Sequence, residues 1–170
     1  TGSDLSLDIS KPGWNTIGTS KVIILSSGNI TFSDTGGTPT NISVNSAGGG
    51  FLLVVAEGNI TFSNSVGKNV SDSSTLKNNI APVVTGMFIS DGNLIIAGDG
   101  NDNSADRQFV GKGVFAGLTD LQMNRKFDSS TGGREFNNLI PAEIFVHDPE
   151  MVLNTPQFFK TPIIQYQEIQ

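Results

Sequence analysis

The chain has 170 residues, a net charge of −6, 15% charged residues, 20 glycines and no cysteine. The length suits one domain with a sizeable core, and the lack of cysteine excludes disulfides and thiolate metal sites. The scattered basic residues argue against a nucleic-acid partner, and no apolar run approaches the roughly 18 residues of a membrane span.

Charged residues normally make up about a quarter of a globular domain. Here Ser, Thr and Asn carry the polarity, and with abundant Gly they favour strands and tight turns over a helical bundle. No signal peptide is visible, and the opening Thr1-Gly2-Ser3 reads as a mature or trimmed start. Residues 1–20 read as an N-terminal strand and cap. Leu5, Leu7 and Ile9 alternate onto one face, followed by a Pro12-Gly13 turn and the lone Trp14.

Residues 21–117 read as solenoid coils. Val22–Leu25, Ser26-Ser27-Gly28-Asn29 and Ile30-Thr31-Phe32 form one unit. Phe51–Val55, Ala56-Glu57-Gly58-Asn59 and Ile60-Thr61-Phe62 repeat it, and Gly86–Ile89, Ser90-Asp91-Gly92-Asn93 and Leu94-Ile95-Ile96 repeat it again. Gln108–Ala116 reads as a degenerate fourth unit. A Gly-Asn corner recurring every thirty or so residues is the mark of a stacked array. The corner glycines Gly28, Gly58 and Gly92 are expected at positive φ, and Asn29, Asn59 and Asn93 as a polar ladder. Ile30, Ile60 and Leu94 then share one interior column, and Phe32, Phe62 and Ile96 another. Hairpins in a sandwich are the competing arrangement, because such a turn can also pair its own flanking strands. Weak strands are expected near 41–44 and near Ile80.

Residues 118–170 change pattern and read as a capping segment of the same domain, since a solenoid exposes its core at each end. Within it, a strand is expected around Ile144–Val146, and a helical turn over 148–154 with Asp148 as cap and Pro149 at its first position. Trp14 and Tyr166, near the termini, are expected to help close the ends.

The Gly-Asn repeats, the segments GMFISDGNL and FVGKGVFAG, the Arg-bearing LQMNRKF, IPAEIFVHDPE and an apolar Gln-Glu tail together resemble a known pattern. It is that of the C-terminal region of surface-exposed proteins of bacterial candidate phyla. More loosely, they are similar to β-helical regions of pilus-associated proteins. Tyr166 stands where that pattern would have Trp. The resemblance spans roughly residues 20–170. It implies an extracellular β-solenoid and lends no catalytic residues.

Few residues suggest chemistry. Asp99, Asn101 and Asn103, with Asp106 nearby, begin like a calcium loop, but Ser104 and Val110 stand where Gly and Glu are needed. Calcium is the one cofactor suggested, and a polar turn is the plainer reading. His147 precedes Asp148, but adjacent strand residues face opposite ways and no G-x-S-x-G nucleophile exists, so a structural histidine is expected. Asp91, Asp99, Asp102, Asp106 and Asp120 could line an acidic face for polysaccharide binding or cleavage. Arg125 and Glu143 read as a partly buried pair pinning the cap to the coils. The sequons at Asn29, Asn41, Asn59 and Asn69 read first as turn residues.

The expected protein is therefore an all-β, single-domain parallel β-solenoid with a mixed C-terminal cap. Its expected role is non-catalytic: an extracellular structural or adhesive module of a cell envelope, pilus or filament. The partners expected are further copies, neighbouring cell-surface proteins or glycans. The alternative is a polysaccharide-binding or polysaccharide-cleaving β-helix acting through the Asp-rich face.

Overall fold

The computed structural model describes residues 2–69, 80–100, 106–127 and 140–160. The strands are β1 (Leu5–Asp8), β2 (Lys21–Ser26), β3 (Ile30–Ser33), β4 (Phe51–Ala56), β5 (Ile60–Phe62), β6 (Val84–Ser90), β7 (Asn93–Ile96), β8 (Phe109–Gly117), β9 (Asp120–Met123) and β10 (Glu143–Val146). They form two five-stranded sheets, β1-β3-β5-β7-β9 and β10-β8-β6-β4-β2. Every pairing between these strands is parallel. The two arms of each Gly-Asn corner lie in different sheets, which rules out hairpins. The chain is a β-solenoid of about three full turns with a part-turn at each end.

The interior columns follow from this register. Leu5, Ile30, Ile60, Leu94 and Leu121 stack in one, and Leu7, Phe32, Phe62, Ile96 and Met123 in the next. Across the core, Ile24, Val54, Phe88 and Phe115 form the facing column. Phe32 stacks on Phe62 at 5.0 Å and 13°, Phe88 stacks on Phe115 at 5.2 Å and 19°, and Phe88 meets both Phe32 and Phe62 edge-on. Each such contact adds roughly 0.5–1.5 kcal/mol beyond area burial. Side chains of one kind recur because each strand sees the equivalent strand one coil away.

A third side connects the sheets. Ile42 donates to the Val83 carbonyl at 2.8 Å and accepts from Thr85 at 2.9 Å, while Gly18 bridges to Val44. The weak strand expected near 41–44 is thus reduced to single bridges. Its counterpart is Val83–Thr85, not Ile80, which is 61% exposed. Strands β6 and β8 run on from this side into the second sheet, and Gly86 and Gly113 pair within them. Gly113 has φ 126°, and a Cβ there would fall on the Gly86 carbonyl oxygen. Only glycine meets both demands.

Strands β9 and β10, both within the expected capping segment, add one strand to each of the two sheets. Beyond them, α1 (Pro149–Leu153) lies on the flank instead of the end. Met151 is fully buried with the main core, and Asn154 Nδ2 donates to the carbonyls of Ser46 at 2.6 Å and Gly50 at 3.2 Å. Asp148 occupies the position before α1 but makes no side-chain cap bond there. Its carboxylate turns to Lys112 Nζ at 3.1 Å. A second short helix, α2 (Gln157–Lys160), follows. Trp14 sits at the N-terminal end, edge-on to Phe32 at 5.8 Å. Tyr166 lies outside the described residues.

Candidate functional site

Three features stand out: the corner ladder, a polar cluster past the C-terminal ends of the first-sheet strands, and the C-terminal end of the stack.

In the ladder, Asn29 and Asn59 each accept from the backbone N–H of the corner one coil on. Asn59 N donates to Asn29 Oδ1 and Asn93 N to Asn59 Oδ1, both at 2.8 Å. Asp4 starts the column, accepting from Asn29 N and Nδ2 at 2.9 Å. Asp120 pairs with Asn93 in register at the other end, but Asn93 Oδ1 is buried without a hydrogen bond. The expected positive φ at Gly28, Gly58 and Gly92 is wrong, for none of them has it. They are glycines for room. A Cβ on Gly58 would lie 2.5 Å from Asn29 Oδ1, and one on Gly92 would collide with Asn59 Oδ1. At the last corner Thr119 and Asp120 replace Gly and Asn, and there the ladder stops.

The polar cluster is built around Arg125, 6% exposed. Its guanidinium donates to the carbonyls of Val66 (2.6 Å), Ser63 (2.7 Å), Arg107 (2.8 Å) and Ala97 (3.2 Å), and lies over the Phe109 ring at 5.3 Å. It therefore binds the connections that follow β5 and β7 and precede β8, tying successive coils together. Burial lowers its pKa to about 10, against the favourable charges of Asp106 and Glu143, so it stays protonated at neutral pH. The expected Arg125–Glu143 pairing takes a different form. Glu143 Oε1 accepts from the Arg125 backbone N–H at 2.7 Å, not from the guanidinium, whose donors the carbonyls take. Burial raises the Glu143 pKa, and that N–H together with the Arg125 charge opposes the rise. Beside it, Arg107 bridges to buried Asp34 at 3.2 Å, and Asp34 also accepts from Gly36 and Thr40 backbone N–H groups.

The acidic candidates are not brought together. Asp91 and Asp120 are exposed at the Gly-Asn corner, whereas Asp99 and Asp106 lie at the other end of β7. Asp106 is 2% exposed, and its two oxygens accept backbone N–H groups of Asp99 (2.9 Å) and Lys126 (3.0 Å). Its carboxylate thus ties Asp99 to Lys126. Asn101, Asp102 and Asn103 lie outside the described residues, and among the described residues no cluster of three acidic, His or Cys side chains could hold a metal. His147 is exposed while Asp148 is buried, so the two do not form a base and orienter. Asn41 and Asn69 are exposed; Asn29 and Asn59 are committed to the ladder.

At the C-terminal end the core surfaces. Leu121, Met123 and Phe145 are 37%, 57% and 38% exposed. With Phe115, Val146 and His147 several of them surround a concavity of about 460 Å³. Phe145 points inward against Phe109 and Phe115. Sequence reasoning missed these end residues and Asp4. Extending the repeat frame one unit in each direction, to Asp4-Leu5-Ser6-Leu7 and Asp120-Leu121-Gln122-Met123, reveals the outer ladder positions. Comparisons with protein-family models, with curated proteins and with solved structures found no match.

Proposed function

We propose that the chain is a rigid structural or adhesive module outside the cell, part of an envelope, pilus or filament. The observation that carries this is the continuous bonding along the stack: the Asn ladder, the stacked phenylalanines and the Arg125 clamp each tie one coil to the next. Such a stack gives stiffness without disulfides. The resemblance noted in the sequence supports an extracellular setting. The exposed apolar end and the parallel sheet edges supply surface for further copies or neighbouring surface proteins.

Light scattering and negative-stain microscopy across a concentration series test the reading. Rods or filaments support it, as does a monomer that adheres to cell-surface material. The polysaccharide alternative rests on Asp91 and Asp120, exposed on adjacent coils at one corner. Reducing-sugar release that disappears in Asp91→Asn/Asp120→Asn would overturn the non-catalytic reading.

A further inference from the structure

We propose that copies of this chain stack head to tail, with the β9 edge of one copy pairing in parallel with the β1 edge of the next. This rests on the structural-module reading and specifies its partner and contact. In the first sheet, inward-facing residues bond toward the C-terminal end, as Leu5 N to Asn29 O and Ile30 N to Asn59 O. Outward-facing residues bond the other way, as Ser63 N to Phe32 O and Asn124 N to Ile96 O. Parallel strands alternate in this manner. Leu121 and Met123 therefore direct their backbone groups to the outer edge of β9, and Ser6 directs its own to the outer edge of β1.

The two edges are in phase. With Leu5 of the next copy following Leu121 in the column, the Ser6 N–H of that copy meets the Leu121 carbonyl. Met123 N–H then meets the Ser6 carbonyl. The same placement extends both interior columns, bringing Leu5 onto Leu121 and Leu7 onto Met123, so the apolar end is covered by side chains of the kind already stacked above it. The step at the end also fits. The second sheet runs one strand beyond β9, so β10 already walls the level that the incoming β1 would occupy, with Phe145 turned inward there. At the opposite end Pro12, Trp14, Ile17, Val22 and Ile24 line an apolar hollow of about 230 Å³. The contact is heterologous, so it propagates into a rod instead of closing. That register sets Asp120 opposite Asp4 of the next copy, a like-charge contact within the Debye length of about 8 Å that opposes stacking and that rising salt only weakens.

The test uses one blocked end at a time. Ser6→Pro removes the edge donor of β1, and Met123→Pro that of β9, without touching the bonds each strand makes inside the chain. Sedimentation velocity should show wild type assembling, and each variant alone weakened about tenfold or more. The two variants mixed should form a one-to-one dimer, because each retains the end the other lacks. If Met123→Pro does not fold, judged by Trp14 emission and circular dichroism, Met123→Lys replaces it. A wild type that stays monomeric overturns the stacking and leaves the adhesive form of the broader reading standing. Folded variants that assemble as wild type overturn the stacking alone, as does a mixture without dimers.

Discussion

Replacing Asn59 and Gly92 together tests the reason for the Gly-Asn corner. Asn59→Ala leaves the Asn93 N–H, now 2.8 Å from its acceptor, without a partner. A lost bond with its donor left unpaired costs about 1–3 kcal/mol when buried, and the half-exposed corner sets the expectation at about 1–2. Gly92→Ala puts a methyl group against Asn59 Oδ1 and within 3.2 Å of the Gly58 backbone. The carboxamide must then swing out, so the variant loses the same bond, again about 1–2 kcal/mol, plus a smaller packing cost. In the double variant that bond is lost once, not twice. The expected coupling is about 1 kcal/mol or more, with the double variant more stable than the sum of the singles predicts. Urea unfolding followed by the sole Trp14 and by far-UV circular dichroism measures it, coincident transitions licensing the two-state treatment. Additivity within about 0.5 kcal/mol would refute the claim that these glycines make room for the preceding carboxamide.

Arg125→Met should cost about 3 kcal/mol or more, since four carbonyls lose their donor, and Arg125→Lys should restore only part of it; thermal melts measure both, at roughly 2–4 °C per kcal/mol for a chain of this size. Gly113→Ala should cost about 2 kcal/mol or more, read in the same melts, because its φ of 126° and the Gly86 carbonyl both oppose a Cβ. Asp148 fixes the flanking α1: burial would raise its pKa, but hydrogen bonds from Ser46 and Lys112 and the Lys112 charge hold it below the usual value. A depressed folded pKa gives stability that is complete above the unfolded value of about 3.9 and is lost as pH falls through the folded one. The stability difference between wild type and Asp148→Asn should therefore shrink below about pH 4, which melts across that range measure.

The repeated Gly-Asn frame, with Ile30, Ile60 and Leu94 at equal offsets, favoured stacked coils, because like residues one period apart gain by facing each other in parallel register, but the choice against hairpins came from the observed pairing between coils. Strand β10 and the turn at Pro149 were also legible, from local periodicity and from proline's fixed φ. What the residues could not reveal depended on contacts between coils. The purpose of Gly58 and Gly92 is set by a carboxamide thirty or so residues earlier, not by local backbone preference. The partners of Arg125 are carbonyls at Ser63, Val66, Ala97 and Arg107, groups that every residue carries and that no motif marks. The course of residues 148–154 along the flank, leaving Leu121, Met123 and Phe145 at the surface, was decided by where Ser46 and Lys112 stand in space. Period and pattern fix which residues stack; the three-dimensional path alone fixes which backbone groups remain to be satisfied, and by whom.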